Sequence, residues 1–125
     1  MNDKEWLDYK VNLRERIKVF SLKVLELSDL LPMTTKGKVI NYQITKSGTS
    51  VYANYRAALR GRSKAEFYSK LCISVEESDE TEMWIELILE SKILVHDFVR
   101  ELHKESLEIL KELSSMRKKL SYGKK

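Results

Sequence analysis

Helix breakers are nearly absent from this chain. Its 125 residues contain one proline, Pro32, and four glycines, and no proline or glycine falls between Ser63 and Ser121. Those two residue types are the ones that interrupt helices, so long stretches of strong helix formers without them point to an all-helical fold. The apolar residues agree. Trp6, Leu13, Ile17, Phe20, Val24, Leu27 and Leu31 follow at spacings of 7, 4, 3, 4, 3 and 4, the stripe of a helix that packs lengthwise in a bundle. Pro32 disfavours helix in the residue before it, which bounds a first helix at 3–31. A second is predicted over 36–60, with Ile40, Ile44, Val51, Tyr55 and Ala58 facing inward. Gly61 suits its end, and Ser63 with Glu66 three residues on forms a capping box for a third helix.

The remaining stretch poses a problem of length. Trp84, Ile88, Ser91, Val95, Phe98, Leu102, Ile109, Leu113, Met116 and Leu120 keep one heptad register. Taken literally it is a single helix of about 58 residues, roughly 87 Å at 1.5 Å per residue. That is about twice the length of either earlier helix and would leave half its apolar stripe bare. A turn is therefore predicted near 91–96, giving helices over 64–91 and 96–121. The expectation is one domain, 1–125, folded as an all-α, up-and-down antiparallel four-helix bundle.

Charge is informative by position. Residues 1–31 balance six basic against six acidic side chains, and residues 32–75 hold eight basic residues against Glu66 alone, net +7. Residues 76–112 hold four basic against twelve acidic, net −8, and 113–125 hold five basic and no acid. A basic stretch attracts phosphate or acidic protein, and an acidic one attracts basic surface. Cys72 is the single cysteine, so no disulfide scaffold forms and a reducing cytoplasm is expected. No apolar run approaches the ~20 residues of a membrane span, and the first residues lack the basic-then-apolar layout of a signal peptide.

The most unusual segment is polar and lies inside the second helix. Gln43, Ser47, Ser50 and Asn54 form one stripe beside the apolar one, and Gly48 costs about 1 kcal/mol against Ala in a helix interior. Close packing by small residues is the simpler explanation; a polar ligand or a subunit contact is the sharper one. On the third helix Glu77, Glu80 and Trp84 share a face, and Arg56 with Arg60 are expected to pair with it across the second and third helices. A metal-binding or catalytic carboxylate pair at Glu77 and Glu80 is the alternative.

No catalytic, cofactor or metal motif is present. The residues three before His96 and His103 are Ile93 and Arg100, so the Glu-x-x-His motif of di-iron bundles is missing. No HExxH, CxxC, GxSxG, GxGxxG or P-loop spacing occurs. The expectation is a protein with no catalytic residues, no metal, no cofactor and no small-molecule substrate.

Three stretches carry a resemblance: Ser47-Gly-Thr-Ser-Val-Tyr-Ala-Asn-Tyr-Arg-Ala-Ala58; Arg62-Ser-Lys-Ala-Glu-Phe67 with Lys70-Leu71; and Glu77-Ser-Asp-Glu-Thr-Glu-Met-Trp-Ile-Glu-Leu87. They resemble the bacterial four-helix bundle proteins encoded in intervening sequences of 23S ribosomal RNA genes, which are related to accessory proteins of diversity-generating retroelements. The resemblance implies an up-and-down bundle assembled into a homo-oligomeric ring, with a pentamer as the implied size. It assigns no established molecular function, and the position of the genes suggests RNA or ribosomes as partners.

Two functions follow. In the first, Lys46, Arg56, Arg60, Arg62, Lys64 and Lys70, with the basic tail Arg117–Lys125, contact nucleic acid, and the tyrosines Tyr52, Tyr55, Tyr68 and Tyr122 are present for stacking on unpaired bases but not clustered, with Tyr55 expected to pack in the core. In the second, the protein is an interaction scaffold without nucleic acid. The basic second-helix surface of one subunit then docks the acidic third-helix surface of the next. The polar and interface candidates Gln43, Ser47, Ser50, Asn54, Glu77, Glu80 and Trp84 serve either arrangement.

Overall fold

The structure, a computed structural model, describes the chain over residues 1–123 and its side chains through Ser121. The tail lysines Lys124 and Lys125 and the Tyr122 side chain lie outside the described residues. Four helices run in order: α1 Asp3–Leu30, α2 Thr35–Leu59, α3 Lys64–Glu90 and α4 Asp97–Gly123. Each of the first three opens on a polar cap. Asn2, Thr34 and Ser63 accept through their side chains from the backbone N–H of Glu5, Gly37 and Glu66, satisfying donors that the first helical turn leaves unpaired.

Successive helices are antiparallel. Near one end of the α1–α2 pair, the Tyr55 hydroxyl donates to the Lys10 carbonyl at 2.9 Å. Near the other end, the Asn41 side-chain amide donates to the Ser28 carbonyl at 2.8 Å. Between α2 and α3, Ser74 Oγ donates to the Val51 carbonyl at 2.9 Å. The α1–α4 seam is closed by two parallel Arg16–Glu105 hydrogen bonds, 2.7 and 2.8 Å, and by Tyr9 donating to Glu112. Burial pushes the Tyr9 phenol up to about 12, with the Glu112 carboxylate adding to it. All four helices feed one core: Ile17, Phe20, Val24 and Leu27 from α1, Ile44, Val51 and Tyr55 from α2, Leu71, Ile85 and Ile88 from α3, and Val99, Ile109 and Leu113 from α4. Each such side chain contributes about 1.5–3 kcal/mol on burial.

The link between α3 and α4 spans Ser91 to His96, and it shows why the unbroken heptad register misleads there. Lys92 takes a positive φ of 59°, the left-handed conformation that ends helices and that glycine usually supplies. A lysine in that position gives no warning in the sequence. His96 then starts the next helix, its Nδ1 accepting from the Phe98 N–H at 3.0 Å. Ser91 and Val95, both on the extrapolated stripe, are exposed, and the first buried residue of α4 is Val99, with Phe98 only half-buried. The departure is confined to the turn, since Leu102, Ile109, Leu113 and Met116 of the same stripe are buried in α4.

Candidate functional site

Antiparallel alternation sends the α2–α3 turn, the N-terminus of α1 and the C-terminal turns of α4 to the same end of the bundle. The basic residues of three separate segments therefore meet there. Arg56 and Arg60 lie on the last turns of α2, Arg62 in the turn, and Lys64 and Lys70 on the first turns of α3, all exposed. Lys4 and Lys10 of α1 and Arg117, Lys118 and Lys119 of α4 join them, against Asp3, Glu5, Asp8 and Glu66. Among the described residues, the side chains of Arg56, Arg60, Arg62, Lys64 and Lys70 have no ion-pair or hydrogen-bond partner. Glu66 instead caps this corner, accepting from the Arg62 backbone N–H at 2.6 Å. Lys10 sits over the rings of Trp6 and Phe67 at 5.2 and 5.4 Å, a cation held against aromatic faces.

Lys46 stands apart from this pole. It lies ten residues before Arg56 on α2, about 15 Å along the axis, with its ammonium 6.0 Å from the Tyr42 ring. It faces Glu77, whose carboxyl is pushed up by burial and by neighbouring Glu80, while Lys46 opposes the shift. Glu80 accepts from Trp84 Nε1 at 3.2 Å, so Glu77, Glu80 and Trp84 do share a face.

The expected pairing of Arg56 and Arg60 with Glu77 and Glu80 does not form. The α2–α3 register sets Val51 against Ser74 and Ser47 against Thr81, which brings Glu77 level with about residue 49. Arg56 is then some seven residues, about 10 Å, away along the axis. The basic residue whose charge reaches Glu77 is Lys46, without an ion pair.

Of the polar stripe of α2, Ser47 is packed between helices. Ser47 is fully buried and shares a 2.9 Å hydrogen bond with the Thr81 hydroxyl of α3. Ser21 of α1 donates to the Gly48 carbonyl at 2.8 Å. A Cβ built on Gly48 would stand 2.7 Å from Val24 Cγ1 and 2.9 Å from Cγ2, so only glycine lets α1 come this close. Asn54 is half-buried and donates to the Ser50 carbonyl at 3.0 Å; Gln43 and Ser50 are half-buried beside it. Among the candidate stacking residues, Tyr55 is fully buried, and Tyr52 and Tyr68 are half-buried.

Two arrangements escaped the sequence reading. The first is an apolar groove at the pole opposite the basic one, lined by Val39 and Ile40 of α2, Leu87 of α3 and Ile93 of the following turn. Neither Glu77 nor Glu80 lines it. The second is a carboxylate–imidazole cluster on the α3–α4 seam. Glu82 Oε2 is 2.7 Å from His103 Nε2, with both side chains mostly buried, at 16% and 22% exposure. Glu86, one turn on from Glu82, brings its carboxylate into the group, the donor atoms of all three lying within 4.8 Å of one another. Glu82 and His103 sit almost symmetrically about the 91–96 turn, which is the signal that could have paired them. No described helix is long and apolar enough to cross a membrane.

Residues 10–115 match the family model described as 23S rRNA-intervening sequence protein. Among solved structures, the chain is similar to a protein of unknown function from the S23 ribosomal protein family of Bacteroides thetaiotaomicron. The two are 31% identical with a TM-score of 0.77, over 87% of this chain and 97% of that one. No curated protein matches this chain.

Proposed function

The chain belongs to the 23S rRNA-intervening sequence protein family, and from that premise we propose that it is a non-enzymatic, homo-oligomeric protein that binds RNA through its basic pole. The observation that carries this reading is the gathering of Arg56, Arg60, Arg62 and Lys64 at one end of the bundle, exposed and without protein partners. An arginine whose fork is not spent on a carboxylate is available to phosphate oxygens, for which its geometry is suited. The reading rests on unpaired charge, so the contact is to the phosphate backbone and the binding is weakly sequence-selective. RNA and ribosomes are cytoplasmic partners, and the proposed site of action is there.

Fluorescence anisotropy with a structured RNA tests this at two salt concentrations, wild type against the Arg56→Ala, Arg60→Ala, Arg62→Ala triple variant. Each phosphate contact contributes about 0.7–0.9 to the slope of log affinity on log salt, so losing three lowers the magnitude of that slope by about 2–3. The triple variant binds more weakly at low salt and responds less to added salt, with its mass by light scattering unchanged. Equal affinity of the two proteins, or binding indifferent to salt, refutes the reading.

A second reading has its own observation. Acids dominate α3 from Glu76 onward and most of α4, and Glu76, Glu86, Glu90 and Glu108 have no ion-pair partner among the described residues. In this reading a second copy docks its basic pole on that face, a head-to-tail contact that closes into a ring when the rotation permits. Absent RNA binding together with a fallen mass in the triple variant selects it.

A further inference from the structure

We infer that Glu82, Glu86 and His103 form a binding site for a divalent transition-metal ion, with zinc the best fit, that fastens α3 to α4. The three donors come from two rigid helices. Glu82 and Glu86 are four residues apart on α3 and so lie one above the other on a single face; His103 reaches across from the second turn of α4. Their ligand atoms already converge within 4.8 Å. Zinc held at 2.0–2.2 Å from nitrogen and oxygen separates its ligands by about 3.4 Å in tetrahedral geometry. Binding therefore opens the 2.7 Å Glu82–His103 contact by about 0.7 Å and draws in Glu86, whose exposed side chain is free to rotate. Three protein ligands leave one position for water.

The surroundings favour a cation in that place. No lysine or arginine pairs with Glu82 or Glu86 among the described residues, and Arg100, one turn before His103, is held by Asp97 at 2.8 Å instead. Two carboxylates are thus left with one imidazole between them. The imidazole nitrogen decides which cation: calcium and magnesium take oxygen ligands, whereas nitrogen with carboxylate suits zinc and its transition-metal neighbours.

Titration calorimetry with zinc chloride and visible absorption of the cobalt-loaded protein test this on the full chain. The expected result is one ion per chain, a cobalt d–d spectrum, and a melting temperature that rises with added zinc. Affinity falls at least tenfold in both Glu86→Gln and His103→Gln, and Glu108→Gln leaves it unchanged. Glu86 is exposed, so its variant keeps the fold even if the His103 variant does not. Absence of binding to wild type, undiminished binding in Glu86→Gln, or binding lost in Glu86→Gln but intact in a folded His103→Gln overturns the inference, the last by marking an acidic cluster alone.

Discussion

Replacing Gly48 by alanine sets two effects against each other, and the structure says which wins. Helix propensity favours the change by about 1 kcal/mol, because glycine in a helix interior has more conformational freedom to lose on folding. The packing opposes it. The new methyl would sit 2.7 and 2.9 Å from the two γ-carbons of Val24 and 3.2 Å from its Cβ. Rotating Val24 gives no relief, since a branched side chain in a helix has one strongly preferred rotamer and this one is fully buried. The helices must part, stretching the 2.8 Å Ser21–Gly48 hydrogen bond, and overpacking of this kind costs about 1–3 kcal/mol. Gly48→Ala is therefore expected to destabilise the protein by about 1 kcal/mol net, lowering Tm by about 4 °C for a domain of this size. The decisive measurement is a double-mutant cycle by urea unfolding at one protein concentration. In a Val24→Ala background the obstructing γ-carbons are gone, and the same Gly48→Ala change should reverse sign and stabilise by about 1 kcal/mol. Stabilisation in both backgrounds would refute the reasoning, because it would mean that α1 does not approach α2 as closely as the structure places it.

Tyr55→Phe removes the 2.9 Å bond to the Lys10 carbonyl and leaves the ring packed. A loss of about 0.5–1.5 kcal/mol in unfolding free energy is expected, and an unchanged stability would show that the hydroxyl is not anchoring α1 to α2. Glu77→Gln probes the acidic cluster through pH. Burial and Glu80 hold the Glu77 carboxyl above its ordinary value in the folded protein, so ionising it costs stability, and that cost is fully present once the pH exceeds the folded value. The variant is expected to melt higher than wild type at pH 7 and to lose that advantage as the pH falls below the carboxylate range. A variant that melts lower at pH 7 would show the carboxylate to be stabilised by Lys46 instead.

What the sequence by itself determined is the set of properties that depend on neighbours along the chain. The scarcity of glycine and proline dictates helix, the spacing from Leu13 to Leu31 dictates which face of α1 is buried, and Ser63 with Glu66 marks where α3 starts. A chain with four such amphipathic segments has an antiparallel bundle as its natural way to bury them. The charge blocks are equally plain.

Tertiary structure alone decided what those charges face. The pairing of side chains on different helices depends on axial register to within a single turn, and register is set by interdigitating side chains rather than by composition. Two turns of offset send Glu77 to Lys46 and leave Arg56 and Arg60 without partners. The α3–α4 register brings Glu82 to His103 across a turn in which Lys92, a residue with no propensity to stop a helix, takes the positive φ. The fold also gathers basic side chains from α1, α2, α3 and α4 at one pole, although Lys10 and Arg117 stand more than a hundred residues apart in the chain. Local periodicity carries no information about distance through space, and that distance governs both the basic pole and the carboxylate–imidazole cluster.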